Sequence, residues 1–288
     1  MQLRQQIDVT GLSLEQRKEA AGDTFIYYER INKIIGLIDK CRHSGDYGGE
    51  PKSMYIAGQP GAGKTGLMNE VIEHSEIGER SDFLKVTVVA HSTVKNVAED
   101  LLSGLGDPFS DRASNSTLQH RVAKMIHARN IKLIFIDECQ HLTSPGTKHG
   151  TNMASDWLKS LITLAEVPVV ALGQKEGDEF LKNPQLNRRF GYRESIEPFA
   201  LDVELATVIR SLDDALPTAE ESTALYGEWI ELIWKATGGI MFFLTRLIRE
   251  AAFHAIEEKR ESVARKDLAG AFEDELRHMR SEMKNPFR

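Results

Sequence analysis

Residues 58–65, Gly-Gln-Pro-Gly-Ala-Gly-Lys-Thr, follow the spacing G-x-x-x-x-G-K-[ST] of a phosphate-binding loop. Gly58, Gly61 and Gly63 let backbone N–H groups turn inward around a β-phosphate, and Gln59, Pro60 and Ala62 fill the turn between them. Lys64 is suited to reach the β- and γ-phosphates, the Thr65 hydroxyl to hold Mg²⁺, and Gly66 to complete the cradle at the start of a helix. Asp137-Glu138 closes an apolar run further on. Asp137 is suited to hold Mg²⁺ through water, and Glu138 to orient and deprotonate an attacking water. A small-molecule kinase, whose acceptor hydroxyl receives the phosphate, gains little from such a base. The chemistry these residues predict is binding and hydrolysis of a nucleoside triphosphate.

Three further positions bear on that chemistry. Gln174 follows a fourth apolar run, where its amide would contact the γ-phosphate or the attacking water; a loop residue without a role is the alternative. Arg188 and Arg189 end a short helical stretch just before a fifth strand, from which a guanidinium would point toward a neighbouring subunit's nucleotide. Arg189, abutting Phe190, is the first choice for such a trans-acting finger and Arg188 the second. Arg246 lies midway along an amphipathic helix and either folds over the nucleotide or is a solvated helix residue.

These groups need a scaffold, and the hydrophobic pattern supplies one. Residues 13–42 read as helix, with Ile31, Ile34, Ile35 and Ile38 at three- and four-residue steps. Apolar runs at 54–57, 83–90, 131–136 and 167–172, and a shorter one at 194–199, read as strands alternating with helices. The run at 131–136 is nearly continuous, as in a central parallel strand buried on both faces. This pattern predicts a three-layer αβα core with a parallel sheet. After Pro198 the strands stop, and 202–216, 222–237, 240–258 and 265–281 read as helices. The expected division is a core over residues 1–200, including an N-terminal helical extension, and a small α-helical domain over 201–288.

The chain of 288 residues is 41% hydrophobic and 27% charged, enough for a real core, and its net charge of -7 argues against a protein that coats nucleic acid over its whole surface. A local basic groove remains compatible with that sum. Cys41 and Cys139 are the only cysteines, which fits a reducing cytoplasm better than a disulfide framework. Met1 to Gln6 carry no apolar signal core, and no run approaches the roughly 20 residues that span a bilayer. The histidines show no metal-ligand spacing.

Taken together, the two nucleotide motifs, residues 136–142 (Ile-Asp-Glu-Cys-Gln-His-Leu), the run from Trp157 to Leu161, residues 183–190 (Asn-Pro-Gln-Leu-Asn-Arg-Arg-Phe) and the Gly238-Gly239 helix resemble the AAA+ ATPases. More narrowly they resemble the TniB/TnsC group of transposition regulators, over most of the chain from about Phe25 to Phe272. The resemblance implies ATP and Mg²⁺ as cofactors, with Lys64, Thr65, Asp137 and Glu138 in those roles and Arg189 as the finger. It implies a homo-oligomer, ring or helical, that wraps or lines double-stranded DNA. Such an oligomer would hand a target site to a DDE-type transposase, with a target-selector protein as a further partner. The place of the family's sensor arginine falls on Phe242, one turn before Arg246. For DNA contact the candidates are Ser92, Thr93 and Lys95 at a helix start, where Ser92-Thr93 capping that helix is the alternative, and Lys148 in the loop after Asp137-Glu138.

Two other functions fit the same residues. One keeps the ATPase and gives it a protein client, as a helicase loader or remodelling enzyme. The other is a nucleotide-gated interaction module with negligible turnover, against which Asp137-Glu138 argues.

Overall fold

The computed structural model describes residues 11–20, 25–46, 48–74, 76–108, 115–142 and 148–288. The chain divides into two compact units. One spans Arg30–Ile196, and the other brings the residues up to Glu29 together with Glu197–Arg288.

The first unit is built on five parallel strands: β1 (Met54–Gly58), β2 (Phe83–Thr87), β3 (Leu133–Asp137), β4 (Val169–Gly173) and β5 (Tyr192–Ile196). Their order in the sheet is β2-β3-β4-β1-β5. Every residue of β3 and β4 is buried, which is why those runs are continuously apolar. At the sheet's rim β2 exposes Lys85 and Thr87, and β5 buries only Ile196 fully. The helices before and between the strands are α2 (Glu29–Arg42), α3 (Lys64–Glu73), α4 (Val94–Gly104), α5 (Asn115–Ala128), α6 (Lys148–Ala165) and α7 (Pro184–Arg189), and α1 (Leu14–Ala20) precedes them in the chain. The apolar stripe of α4, Val97, Ala98, Leu101 and Leu102, joins α5, α6 and the sheet in one core.

In the second unit the helices are α1, α8 (Val203–Asp214), α9 (Trp229–Thr237), α10 (Met241–Glu257) and α11 (Arg265–Ala271), the last running into a π-helical turn at Phe272–Leu276. Asp202 caps α8 by accepting from the Leu205 N–H at 3.1 Å. α1 is tied to this unit by the Arg17–Glu261 pair at 2.7 Å and the Lys18–Glu257 pair at 2.6 Å.

Several elements differ from their expected bounds. Residues 13–42 are not one helix: α1 ends at Ala20, and Phe25–Tyr28 is non-helical before α2 begins. The second strand stops at Thr87, and Lys148, expected in a loop, begins α6. The fifth strand lies at 192–196, two residues earlier than its apolar residues suggest. Residues 222–228 form a short 3-10 turn and a bend before α9. The last predicted helix ends its α-helical part at Ala271. Both cysteines are buried free thiols, and burial pushes Cys41 up to about 12. No helix of the described residues is long and apolar enough to cross a membrane.

Candidate nucleotide site

The strand order explains where the chemistry gathers. β4 lies between β1 and β3, so the C-terminal ends of β1, β4 and β3 stand side by side. β1 delivers the phosphate loop, β3 delivers Asp137 and Glu138, and β4 delivers Gln174 between them. The register pairs Ala57 with Gly173, which sets Gln174 at the level of Gly58.

The loop leaves β1 at Gly58 and turns back into α3. Gly61 and Gly63 take left-handed φ angles of 80° and 96°. Gly63 is the N-cap of α3 and has no side chain to accept from the first turn. The N–H groups at the start of α3 therefore lack intrahelical partners, as an anion site requires. Lys64 is buried, and its ammonium donates to the Gly58 carbonyl at 2.6 Å and the Gln59 carbonyl at 3.3 Å. Burial pulls its pKa down from the ordinary value, opposed chiefly by the charges of Glu138 and Asp137.

Thr65 and Asp137 meet directly: the Thr65 hydroxyl donates to Asp137 Oδ2 at 2.7 Å. Asp137 is 1% exposed, and its Oδ1 accepts from the Glu138 N–H at 2.9 Å. A hydroxyl and a carboxylate side by side at a helix N-terminus are hard oxygen ligands, a donor set that fits Mg²⁺. Glu138 turns the chain with a φ of 54°, a left-handed angle that is costly outside glycine. Its carboxylate accepts from the Gln140 side-chain amide. The backbone of Gln174 is held from two sides: its N–H donates to Gln140 Oε1 at 3.2 Å, and its carbonyl accepts from the Tyr55 hydroxyl at 2.5 Å. Gln140 falls within the 136–142 run and Tyr55 within an apolar strand, but motif and spacing assign neither a role, because one is an uncharged residue past the Asp-Glu pair and the other passes for core.

The arginines lie elsewhere. The Arg189 carbonyl accepts from the Ser53 N–H at 2.7 Å, and Ser53 precedes β1. Arg189 is thus at the opposite end of β1 from the phosphate loop, about 16 Å away at the usual strand rise. Glu50, not singled out from the sequence, faces both guanidinium groups, Arg188 at 3.4 Å and Arg189 at 3.5 Å.

Of the candidate DNA contacts, Thr93 caps α4 in a capping box, accepting from the Asn96 N–H at 3.3 Å while Asn96 Oδ1 accepts from the Thr93 N–H at 2.9 Å. The Ser92 N–H donates to the Val89 carbonyl at 3.1 Å, and Lys95 pairs with Glu99 at 3.5 Å. The Lys148 side chain lies outside the described residues. In the second unit Arg246 pairs with Glu275 at 2.7 Å and stacks over the ring of Phe242 at 5.1 Å.

Residues 17–197 match the family model described as Bacterial TniB protein. Comparison with the sequences of curated proteins finds no match. Among solved structures, the Aeropyrum pernix ORC2 protein in its ADPNP–ADP complexes is similar, with a TM-score of 0.68 and 15% identity over 89% of this chain and 71% of that one. The Aeropyrum pernix ORC1 protein in complex with DNA gives 0.61 at 19% identity, covering 91% of this chain and 69% of the other. Drosophila ORC bound to DNA gives 0.56 at 16% identity, covering 94% and 68%. At these identities the likeness is one of fold, and the fold is that of an AAA+ P-loop ATPase followed by a helical C-terminal region.

Proposed function

This chain belongs to the TniB family, and from that premise we propose that it is an ATP-hydrolysing, self-assembling regulator of DNA transposition. In this reading it binds double-stranded DNA as a ring or helical homo-oligomer, marks the target, and activates a DDE-type transposase, with a target-selector protein as a further partner. The observation that carries the ATPase part is the direct contact of Thr65 with Asp137, with Glu138 next in the chain.

Each residue has a task. The α3 N-terminus and the loop N–H groups bind the β- and γ-phosphates, whose oxygens take the place of the Gly58 and Gln59 carbonyls as partners of Lys64. Thr65 and Asp137 would hold Mg²⁺, which supplies charge neutralisation on the phosphates when bound. Glu138 accepts the proton of the attacking water. The Gln174 amide contacts the γ-phosphate or that water. Arg189, out of reach of its own loop, reaches a neighbour's γ-phosphate, with Arg188 beside it. ATP then favours assembly because each site is complete only with a second subunit. Many weak phosphate contacts, from Ser92, Thr93, Lys95 and Lys148, add up to avidity for DNA along the oligomer. Hydrolysis loosens it.

The test is negative-stain electron microscopy of the protein with duplex DNA, with and without a non-hydrolysable ATP analogue. Rings or filaments on DNA with the analogue only are expected. Particles indifferent to both DNA and nucleotide overturn the reading, and tight binding to a replicative helicase with none to a transposase would move the client to helicase loading.

A further inference from the structure

The hydrogen bonds around Glu138 single out one more residue of the hydrolytic site. Building on the ATPase reading above, we propose that Gln140 is the positioning residue that aims the Glu138 carboxylate at the attacking water.

The side-chain amide of Gln140 is used at both ends. Its Oε1 accepts from the Gln174 N–H at 3.2 Å, and its Nε2 donates to Glu138 Oε2. The first contact dictates the second. A backbone N–H only donates, so the amide oxygen must face Gln174, and the NH₂ end is thereby turned onto the carboxylate. Gln174 is itself anchored by the Tyr55 hydroxyl at 2.5 Å. A relay of hydrogen bonds therefore runs from Tyr55 on β1, through Gln174 after β4, to Gln140 and Glu138 after β3, across three adjacent strands.

Glu138 needs such a restraint. Its backbone sits at φ 54°, and a non-glycine residue keeps that angle only where its surroundings over-determine it. Its N–H is tied to Asp137 Oδ1 at 2.9 Å and its carbonyl accepts from the His141 N–H at 3.0 Å, so the backbone is fixed. The side chain has three rotatable bonds beyond that point, and the Gln140 amide is the contact that takes up Oε2. Oε1 is left to receive the proton of a water. A general base acts only from hydrogen-bond reach of its proton, so losing this aim lowers the rate of the chemical step and leaves nucleotide binding in place.

Steady-state ATP turnover decides the matter. Wild type, Gln140→Met and Gln140→Glu are compared, alone and combined with Glu138→Gln, with thermal melts to confirm folding. Methionine keeps the length of the side chain and removes both hydrogen bonds; glutamate keeps the shape and cannot donate to Glu138. Both variants should lower kcat on the order of 10- to 100-fold, with KM and analogue affinity within about threefold. In the Glu138→Gln background the same changes should have no further effect, because Gln140 acts through Glu138. Full turnover by Gln140→Met, a rise in kcat, a loss carried by KM, or an undiminished effect in the Glu138→Gln background would each overturn the assignment. A wild-type protein without any turnover would remove the ATPase reading and this proposal with it, a result distinct from wild-type activity that Gln140→Met retains.

Discussion

The Thr65 hydroxyl donates to Asp137 Oδ2 at 2.7 Å, joining the first turn of α3 to the end of β3 across 72 residues of chain. The hydroxyl and the carboxylate are both hard oxygen ligands, and their adjacency makes them a ready pair for one divalent cation. Thr65→Ala and Asp137→Asn should each cut Mg²⁺-dependent ATP turnover by about tenfold or more. Far-UV circular dichroism should stay unchanged for Thr65→Ala, since Thr65 is exposed. Turnover at the wild-type level in both variants would remove them from the cation site.

In the proposed mechanism Lys64 serves binding and Glu138 chemistry. Lys64→Ala removes the one ammonium held inside the loop and should abolish the thermal stabilisation conferred by an ATP analogue. Glu138→Gln should keep that stabilisation, lose turnover, and trap the oligomer on DNA. Dissociation of Glu138→Gln from DNA as fast as wild type would sink the idea that hydrolysis drives release.

Legibility in the sequence followed burial. β1, β3 and β4 are buried on both faces, so each is a nearly unbroken apolar run that periodicity finds. β5 pairs on one side only, with β1, and its first residues, Tyr192 and Arg193, carry no apolar signal and enter the strand only because Met54 and Tyr55 lie alongside. The break between α1 and α2 was hidden for a related reason. Phe25–Tyr28 is non-helical within a stretch flanked by helical periodicity, and the ring of Tyr28 meets Phe199, far away in the sequence, edge-on at 5.1 Å. The proposed phosphate loop and Asp137-Glu138 stand out in the sequence because the chemistry assigned to them demands particular residues at particular spacing. Gln140 and Glu50 contact partners that only the fold brings near, Gln174 and the two arginines, so spacing alone assigns them no role, although Gln140 falls within the 136–142 run.

Gly239 carries a packing prediction for the helical unit. Its φ is 68°, and a Cβ there would lie 2.1 Å from the Phe199 carbonyl oxygen. The Gly239 carbonyl accepts from the Phe199 N–H at 2.8 Å, and Trp234 Nε1 donates to the Phe199 carbonyl at 2.9 Å, so that backbone has no freedom to retreat. Gly239→Ala should destabilise this unit by about 2–4 kcal/mol, measured by chemical denaturation followed through tryptophan fluorescence. A change below about 0.5 kcal/mol would show that the approach relaxes.

Acid should loosen α1. The Arg17 guanidinium, donating to Glu261 at 2.7 and 3.2 Å, holds that carboxyl below its ordinary value of 4.5, with the Ala219 N–H adding to the effect. A carboxyl depressed in the folded state contributes stability that is complete above its unfolded pKa and is lost as pH falls through the folded one. The hydrogen-exchange protection of residues 14–20, taken relative to the intrinsic exchange rate at each pH, should therefore be flat above about pH 5 and fall in more acid solution. Glu261→Gln should remove most of that acid-dependent step; an equal step in the variant would place the attachment of α1 elsewhere.

The finger assignment predicts complementation between inactive subunits. Arg189 is held by Glu50 at 3.5 Å with a side chain 12% exposed, whereas Arg188 pairs with the same carboxylate at 3.4 Å and is 77% exposed. Glu50 is more than half exposed, so these pairs are worth about 0–1 kcal/mol and yield readily to a phosphate. Arg189→Ala leaves its own phosphate loop intact but gives nothing to a neighbour. Lys64→Ala does the opposite: its site is dead and its Arg189 is whole. Each variant alone should be inactive, and mixing them should restore turnover at interfaces where a wild-type loop faces a wild-type finger. Failure of the mixture to exceed either variant alone would exclude action in trans by Arg189. Running Arg188→Ala through the same mixture assigns the finger between the two: if Arg189 is the finger, Arg188→Ala alone retains most of the activity. The inverse result would pass the role to the more exposed arginine.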